Sequence, residues 1–384
     1  MPGIGNKKLI MQPIKMVDLL GQYQQIKPEV DQAIQRVLLS TDFIQGTAVK
    51  EFESALSQFL DGAHVISCGN GTDALQIAMM ALNFKPGDEV ILPVHTYAAT
   101  AEVIALLKLV PVFAEVNEET FTLDPSTIES LITDRTVAVV PVHLYGQCAD
   151  LTPIVDVAKK HRLRVIEDAA QSLGSDYQDR EGTRRKGGTI GTIGTTSFFP
   201  SKNLGAFGDG GAMMTRDEKL AGQLRMIANH GQQKKYQHDV IGVNSRLDTL
   251  QAAILQVKLA HLNEYAAKRQ TVASYYDAHL KHVNFLKTPV RANYSTHVFH
   301  QYTIRTQGID RDTLKAYLQE KGIPSMIYYP IPLHLQPAYR CSGFGEGSFP
   351  VTERLSKTVL SLPVHTEMDE EQLSYICEAI IRFG

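Results

Sequence analysis

Cysteine is scarce in this 384-residue chain, and long apolar runs and charge of one sign are missing. The four cysteines (Cys68, Cys148, Cys341, Cys377) stand far apart and form no CxxC pair. That excludes a zinc ribbon and a thioredoxin-like motif, and it leaves no disulfide framework. No apolar run approaches the roughly 20 residues a membrane span needs. Met1 to Pro13 carries Lys7 and Lys8 but no long apolar stretch, so no signal peptide is expected. The 38 basic and 41 acidic residues leave a net charge of −3, with no block of either sign. A surface built to coat nucleic acid is therefore not expected. Small anions stay open, because local Lys, Arg and backbone N–H groups hold them whatever the net charge. The thirteen histidines form no pair at metal-ligand spacing, so no metal site is expected.

What is present fits a soluble, cytoplasmic α/β protein. The length is about two to three typical domains. A 43% hydrophobic composition suits a globular core that buries about 75% of its unfolded surface. From residue 62 short apolar strands alternate with helical stretches. Strands are expected at 64–68, 89–93, 110–116, 136–142 and 164–167, with helices at 72–82, 97–109, 124–132 and 153–161. This alternation predicts a mostly parallel sheet covered by helices on both faces. A glycine-rich middle, 182–211, holds β-like runs at 195–199 and 211–215. Helices follow at 217–228 and 247–262. A second β/α alternation then runs through 301–305, 311–321, 325–329, 351–360 and 369–381. The expected division is a large domain over 1–264 and a smaller C-terminal domain over 265–384.

The run Gly69-Asn70-Gly71-Thr72-Asp73-Ala74 follows a strand and opens a helix, so it matches the dinucleotide-binding spacing. That motif also wants an acid at the end of the next strand, and here the next strand ends Leu92-Pro93-Val94-His95. Nicotinamide binding is therefore set aside, although a helix start aimed at an anion survives. Asp168 ends the strand 164–167, where open α/β sheets build their sites. Lys202 leaves an apolar stretch and enters a glycine-rich loop. A lysine in a dry pocket loses its proton more easily and can condense with an aldehyde. Lys202, Asp168, the Gly71-Thr72 helix start and the aromatic Tyr97 could meet the four needs of pyridoxal phosphate (PLP). Spacing by itself does not choose that cofactor.

Longer motifs carry a resemblance: SCGNGTDAL (67–75), PGDEVILPVHTYAATA (86–101), VHLYGQCADL (142–151), VIEDAAQSLG (165–174), TTSFFPSKNLG (195–205), GDGGAM (208–213), NHGQ (229–232), GVNSRLDTLQAAIL (242–255) and YYPIPLHLQP (328–337). Over about residues 17–380 the chain resembles the DegT/DnrJ/StrS-type sugar aminotransferases. The resemblance implies the fold-type-I PLP architecture, with a mixed, mostly parallel seven-stranded sheet and a smaller C-terminal α/β domain. It makes Lys202 the Schiff-base lysine and acid/base, and Asp168 the partner of the cofactor's ring nitrogen. Gln171 would contact the ring hydroxyl side, Gly71, Thr72 and Ser197 the phosphate, and Tyr97 the ring face. Asn244 would reach the phosphate of a neighbouring subunit, so a homodimer with shared sites is implied. Arg246 would lie near a carboxylate, and Tyr328 and Tyr329 would face the sugar. Other readings place Tyr97 in the core, Gln171 at a helix cap and Arg246 in an ion pair.

Some relatives carry histidine at the lysine position and act as dehydratases; Lys202 favours amino transfer. The implied reaction passes an amino group from L-glutamate, through the PMP form, to a nucleotide-linked keto sugar. Among family branches the motifs look most like enzymes of UDP-2-acetamido-3-keto-glucuronate. Those often read His-Tyr-Pro where this chain has Tyr328-Tyr329-Pro330, which leaves the sugar open. A 4-keto-sugar enzyme and a PLP-binding regulator without turnover are the alternatives.

Overall fold

The computed structural model describes residues 13–384, so the first twelve residues of the N-terminal stretch, and the Cys341 and Ser342 side chains, lie outside the described set. Nine strands come first along the chain: β1 (His64–Cys68), β2 (Glu89–Pro93), β3 (Val110–Ala114), β4 (Thr136–Val139), β5 (Arg164–Asp168), β6 (Asp176–Gln178), β7 (Arg184–Lys186), β8 (Ile193–Ser197) and β9 (Gly211–Thr215). Seven of them form one sheet in the order β1-β9-β8-β5-β4-β2-β3. The run from β8 to β3 is parallel, while β9 is antiparallel to both β8 and β1. The mixed, mostly parallel sheet expected from the sequence is thus present.

Helices cover both faces, and strand alternation shows why. On β1, Ile66 packs with the helices Gly71–Ala81 and Glu218–Ala228, while its neighbour Val65 packs with Phe52, Leu56 and Leu255 on the other face. Met213 and Met214 on β9 divide in the same way.

The remaining strands are β10 (Gln232–Lys234), β11 (Gln237–His238), β12 (Leu286–Lys287), β13 (Tyr302–Thr306) and β14 (Val359–Leu362). The last three form an antiparallel sheet that packs with Val272, Tyr276, Leu314 and Ile376 in a second core. The helix Thr249–Ala260 stops at His261, and a 19-residue helix, Leu262–Leu280, starts there. Residue 265 therefore falls inside a helix. Leu262 belongs to a core beneath the large sheet, whereas Val272 and Leu280 belong to the second core.

Two elements differ from the sequence reading. Residues 124–132 make two 3₁₀ turns, Pro125–Thr127 and Glu129–Leu131, because Ile132 swings to extended backbone before a full α-helical ladder can form. Residues 325–329 do not form a strand. Only Met326 pairs, with Ser361, and Tyr328 and Tyr329 turn toward the large sheet. Cys68, Cys148 and Cys377 are free and buried. Among the described residues no helix is long and apolar enough to cross a membrane.

Candidate active site

Three strand ends converge on a cavity of about 690 Å³. β1 ends at Cys68, and Asn70 caps the helix that follows, its side chain accepting from the Asp73 N–H at 2.8 Å. Gly71 and Thr72, in the first turn, line the cavity; their N–H groups precede the helical ladder and are available to an anion. Gly71 is required by contact: a Cβ there would lie 2.6 Å from Ser197 Cβ. Gly71→Ala is expected to destabilise the fold by about 1–3 kcal/mol through overpacking, measured by denaturant unfolding.

β5 delivers Asp168, 6% exposed, onto the same cavity. Its carboxylate accepts from Thr100 Oγ1 at 2.9 Å and from the Ala170 N–H at 3.2 Å. The preceding residue, Glu167, points the opposite way and is buried completely. It accepts from His143 Nε2 (2.9 Å) and the N–H groups of Gly188 (2.8 Å), Ile190 (2.7 Å) and Gly191 (2.5 Å). His143 Nδ1 accepts from the Ala149 N–H, so the ring's proton sits on Nε2. Burial alone would raise the pKa of Glu167, but His143 and these N–H groups prevail and hold it below the ordinary value.

β8 ends at Ser197, and the tight loop beyond it carries Lys202, whose N–H donates to the Phe199 carbonyl at 2.8 Å. Desolvation pulls the Lys202 pKa down to about 8 against the opposing pull of Asp168. About a tenth of such amines are neutral at pH 7, against well under a thousandth for an ordinary lysine.

Aromatic side chains form one wall. Tyr97 is 60% exposed, so it is not a core residue; its ring lies 6.0 Å from that of Tyr329. The Gln171 amide is held at both ends: its Oε1 accepts from the Tyr145 N–H, in the 3₁₀ turn Leu144–Gly146, at 2.8 Å, and its Nε2 donates to the Tyr329 hydroxyl at 3.2 Å. The Tyr145 hydroxyl donates to the Tyr328 carbonyl and lies 3.2 Å from His95 Nε2. Burial lowers the His95 pKa to about 4, so that ring is neutral.

Gly71, Thr72, Tyr97, Asp168, Gln171, Ser197, Lys202, Tyr328 and Tyr329 all line this cavity. Asn244 and Arg246 do not. The segment 243–245 runs extended beside 228–230, and Ser245 between the two points inward, accepting from the Gly69 N–H and donating to Asp73. Strand alternation then sends Asn244 and Arg246 outward. Asn244 is exposed, and Arg246 lines a separate cleft with Glu53, Arg225 and Gln232. Thr100, His95 and Tyr145 went unassigned in the sequence, although all three sit in quoted motifs; their spacing to Asp168 exists only after folding.

Three comparisons with known proteins agree. Residues 24–381 match the profile of the DegT/DnrJ/EryC1/StrS aminotransferase family. The chain is 46% identical to a Pseudomonas aeruginosa protein named UDP-2-acetamido-2-deoxy-3-oxo-D-glucuronate aminotransferase, over 96% of this chain and 99% of that one. It is 45% identical to a Geobacillus stearothermophilus protein named pleiotropic regulatory protein, over 96% and 98%. A solved structure of S. venezuelae DesV in complex with a ketimine intermediate superposes with a TM-score of 0.93 at 39% identity, covering 97% of this chain and 99% of that chain.

Proposed function

We infer that this chain, which belongs to the DegT/DnrJ/EryC1/StrS aminotransferase family, uses PLP to move an amino group onto a keto carbon, at position 3, of a nucleotide-linked sugar. The observation that carries this reading is the meeting of Lys202 and Asp168 in one cavity with an open helix start. The residues fit the cofactor. The Gly71-Thr72 turn and Ser197 offer donors to a phosphate, where an added Cβ at 71 would intrude. When bound, the cofactor supplies an electron sink for the pair left on the donor carbon.

The chain's own residues supply the rest. Lys202, with its lowered pKa, can hold the aldehyde covalently and, once free, carry a proton to and from the reacting carbon on Nζ. Asp168, fixed by Thr100, would hold the ring nitrogen of the bound cofactor protonated. Tyr97 is free to lie against a flat ring. Gln171 is anchored at both ends of its amide and, with the cofactor bound, would lie on the ring hydroxyl side. We assign L-glutamate as donor, with Arg246 and Asn244 serving the neighbouring copy in a homodimer; their outward direction supports that assignment. Tyr328 and Tyr329 border the sugar, the large domain ends near residue 264, and the enzyme works in the cytoplasm.

The name of the Geobacillus relative favours a second reading, a regulator that binds PLP without turnover. L-Glutamate separates the two. The transaminase converts bound PLP to pyridoxamine phosphate, followed by absorbance and mass, and then aminates a UDP- or dTDP-linked 3-keto sugar in a small panel. A loaded protein that glutamate leaves unchanged is a regulator. Amination of 4-keto sugars alone would move the reacting position.

A further inference from the structure

We propose that His300 is a positioning residue for Lys202, set into the cavity wall to receive an N–H of the lysine amine as that amine meets or leaves the cofactor aldehyde. This rests on the cofactor reading above, and three observations support it.

The first is an unmet hydrogen bond. His300 lines the same cavity as Lys202, is 6% exposed, and its Nδ1 has no partner among the described residues. An unpaired buried nitrogen costs about 1–3 kcal/mol, so one retained beside a reactive amine calls for a reason.

The second is the backbone built to aim it. Phe299, a bulky residue, holds φ +47, in the left-handed region. The segment is pinned on every side. Arg269 Nη1 donates to the Phe299 carbonyl (3.0 Å), and the Val298 N–H donates to the Gly146 carbonyl (2.8 Å). The Gln301 N–H donates to the Tyr145 carbonyl (3.1 Å), and Asn203, next to Lys202, donates from Nδ2 to the Val298 carbonyl (3.0 Å). Gly146, at φ +110, permits the approach, since a Cβ there would lie 2.7 Å from the His300 backbone nitrogen. The result sends the Phe299 ring into the second core and leaves the next side chain on the cavity.

The third is the chemistry of the ring. Burial, reinforced by the charges of Lys202 and Arg269, holds the His300 pKa well below the ordinary histidine value. The ring is therefore neutral and offers one lone pair. Asp168 already accepts from Thr100 and Ala170. An amine that gives one N–H to His300 has its own lone pair directed away, toward a reacting carbon.

The test mixes cofactor-free wild type, His300→Phe and His300→Gln with PLP, and follows covalent capture by Lys202 through absorbance. Affinity for pyridoxamine phosphate, which has no aldehyde and needs no lysine, is measured in parallel. His300→Phe is expected to slow capture, and the glutamate half-reaction, by about 10- to 100-fold. Its affinity for pyridoxamine phosphate should stay within about threefold of wild type, because the phosphate donors at the helix start are untouched. His300→Gln, whose amide oxygen can still accept, should recover most of the loss. If His300→Phe does not fold, His300→Asn, which keeps an amide but not the reach, is expected to show the same deficit. Capture at the wild-type rate in the Phe or Asn variant overturns the inference. So does a pyridoxamine phosphate affinity that falls in step with the rate, which would mark a structural role. A wild-type chain that takes up no PLP would instead defeat the cofactor reading, and this inference with it.

Discussion

Lys202→Ala abolishes amino transfer, by at least about 10⁴-fold, and removes the covalent attachment of PLP; the checks are turnover with glutamate and mass of the borohydride-reduced protein. The variant should still bind pyridoxamine phosphate through the Gly71-Thr72 turn. The same amine has an opposite effect on stability. Its pKa is about 8 in the fold and an ordinary 10.5 in the unfolded chain. Between those values the unfolded chain binds the extra proton, so stability rises with pH across that window. At pH 7 the unmet charge costs on the order of 2–3 kcal/mol, somewhat less with solvent reaching the cavity. Lys202→Met, which keeps the volume without the charge, is therefore expected to raise the melting temperature of the cofactor-free protein by several degrees at pH 7. The gain should vanish above about pH 10.5. Equal melting curves at pH 7 would mean the amine is as well solvated as in water.

The second large effect lies behind the site. Glu167→Ala strips one acceptor from His143 and the Gly188 N–H, both buried, and from the half-buried N–H groups of Ile190 and Gly191. Removing one member of such a buried cluster costs about 3–5 kcal/mol. Chemical denaturation should show that loss, with Asp168 displaced and PLP retention weakened alongside it. Because the carboxyl of Glu167 is held below its ordinary 4.5, its contribution is present above that pH and is lost as pH falls through the lower folded value. Wild-type and Glu167→Ala melting curves should accordingly converge in acid. A variant as stable as wild type would show that the 188–191 turn finds other acceptors.

The sequence was most legible where local chemistry and position coincide. Asp168 at a strand end and Lys202 after an apolar run needed no tertiary information, and the helix start at Gly71 followed from the strand and turn before it. The apolar runs 89–93 and 211–215 were legible as strands because burial on both faces makes them so. The antiparallel placement of β9 was not, since pairing direction leaves no mark within a five-residue run. Nor did local spacing show the outward aim of Asn244 and Arg246, which depends on Ser245 finding Asp73, 172 residues earlier; for Asn244 only the family resemblance pointed outward. The stretch 325–329 has strand composition, yet Tyr328 and Tyr329 are drawn out of the pairing position by Tyr145 and Gln171. His300 looked like one of thirteen ordinary histidines; its place on the cavity, its unpartnered Nδ1 and the reversed backbone at Phe299 set it apart only in the fold.

The helix Leu262–Leu280 has a mechanical implication. Nineteen residues make a rod about 28 Å long, and both cores grip the same rod. The C-terminal sheet cannot tilt over the cavity by flexing within this helix without breaking its internal ladder. The break at its start is His261, the single residue between two helices, and Leu262 next to it is already packed beneath the large sheet, so rod and sheet are tied to the large domain at that point.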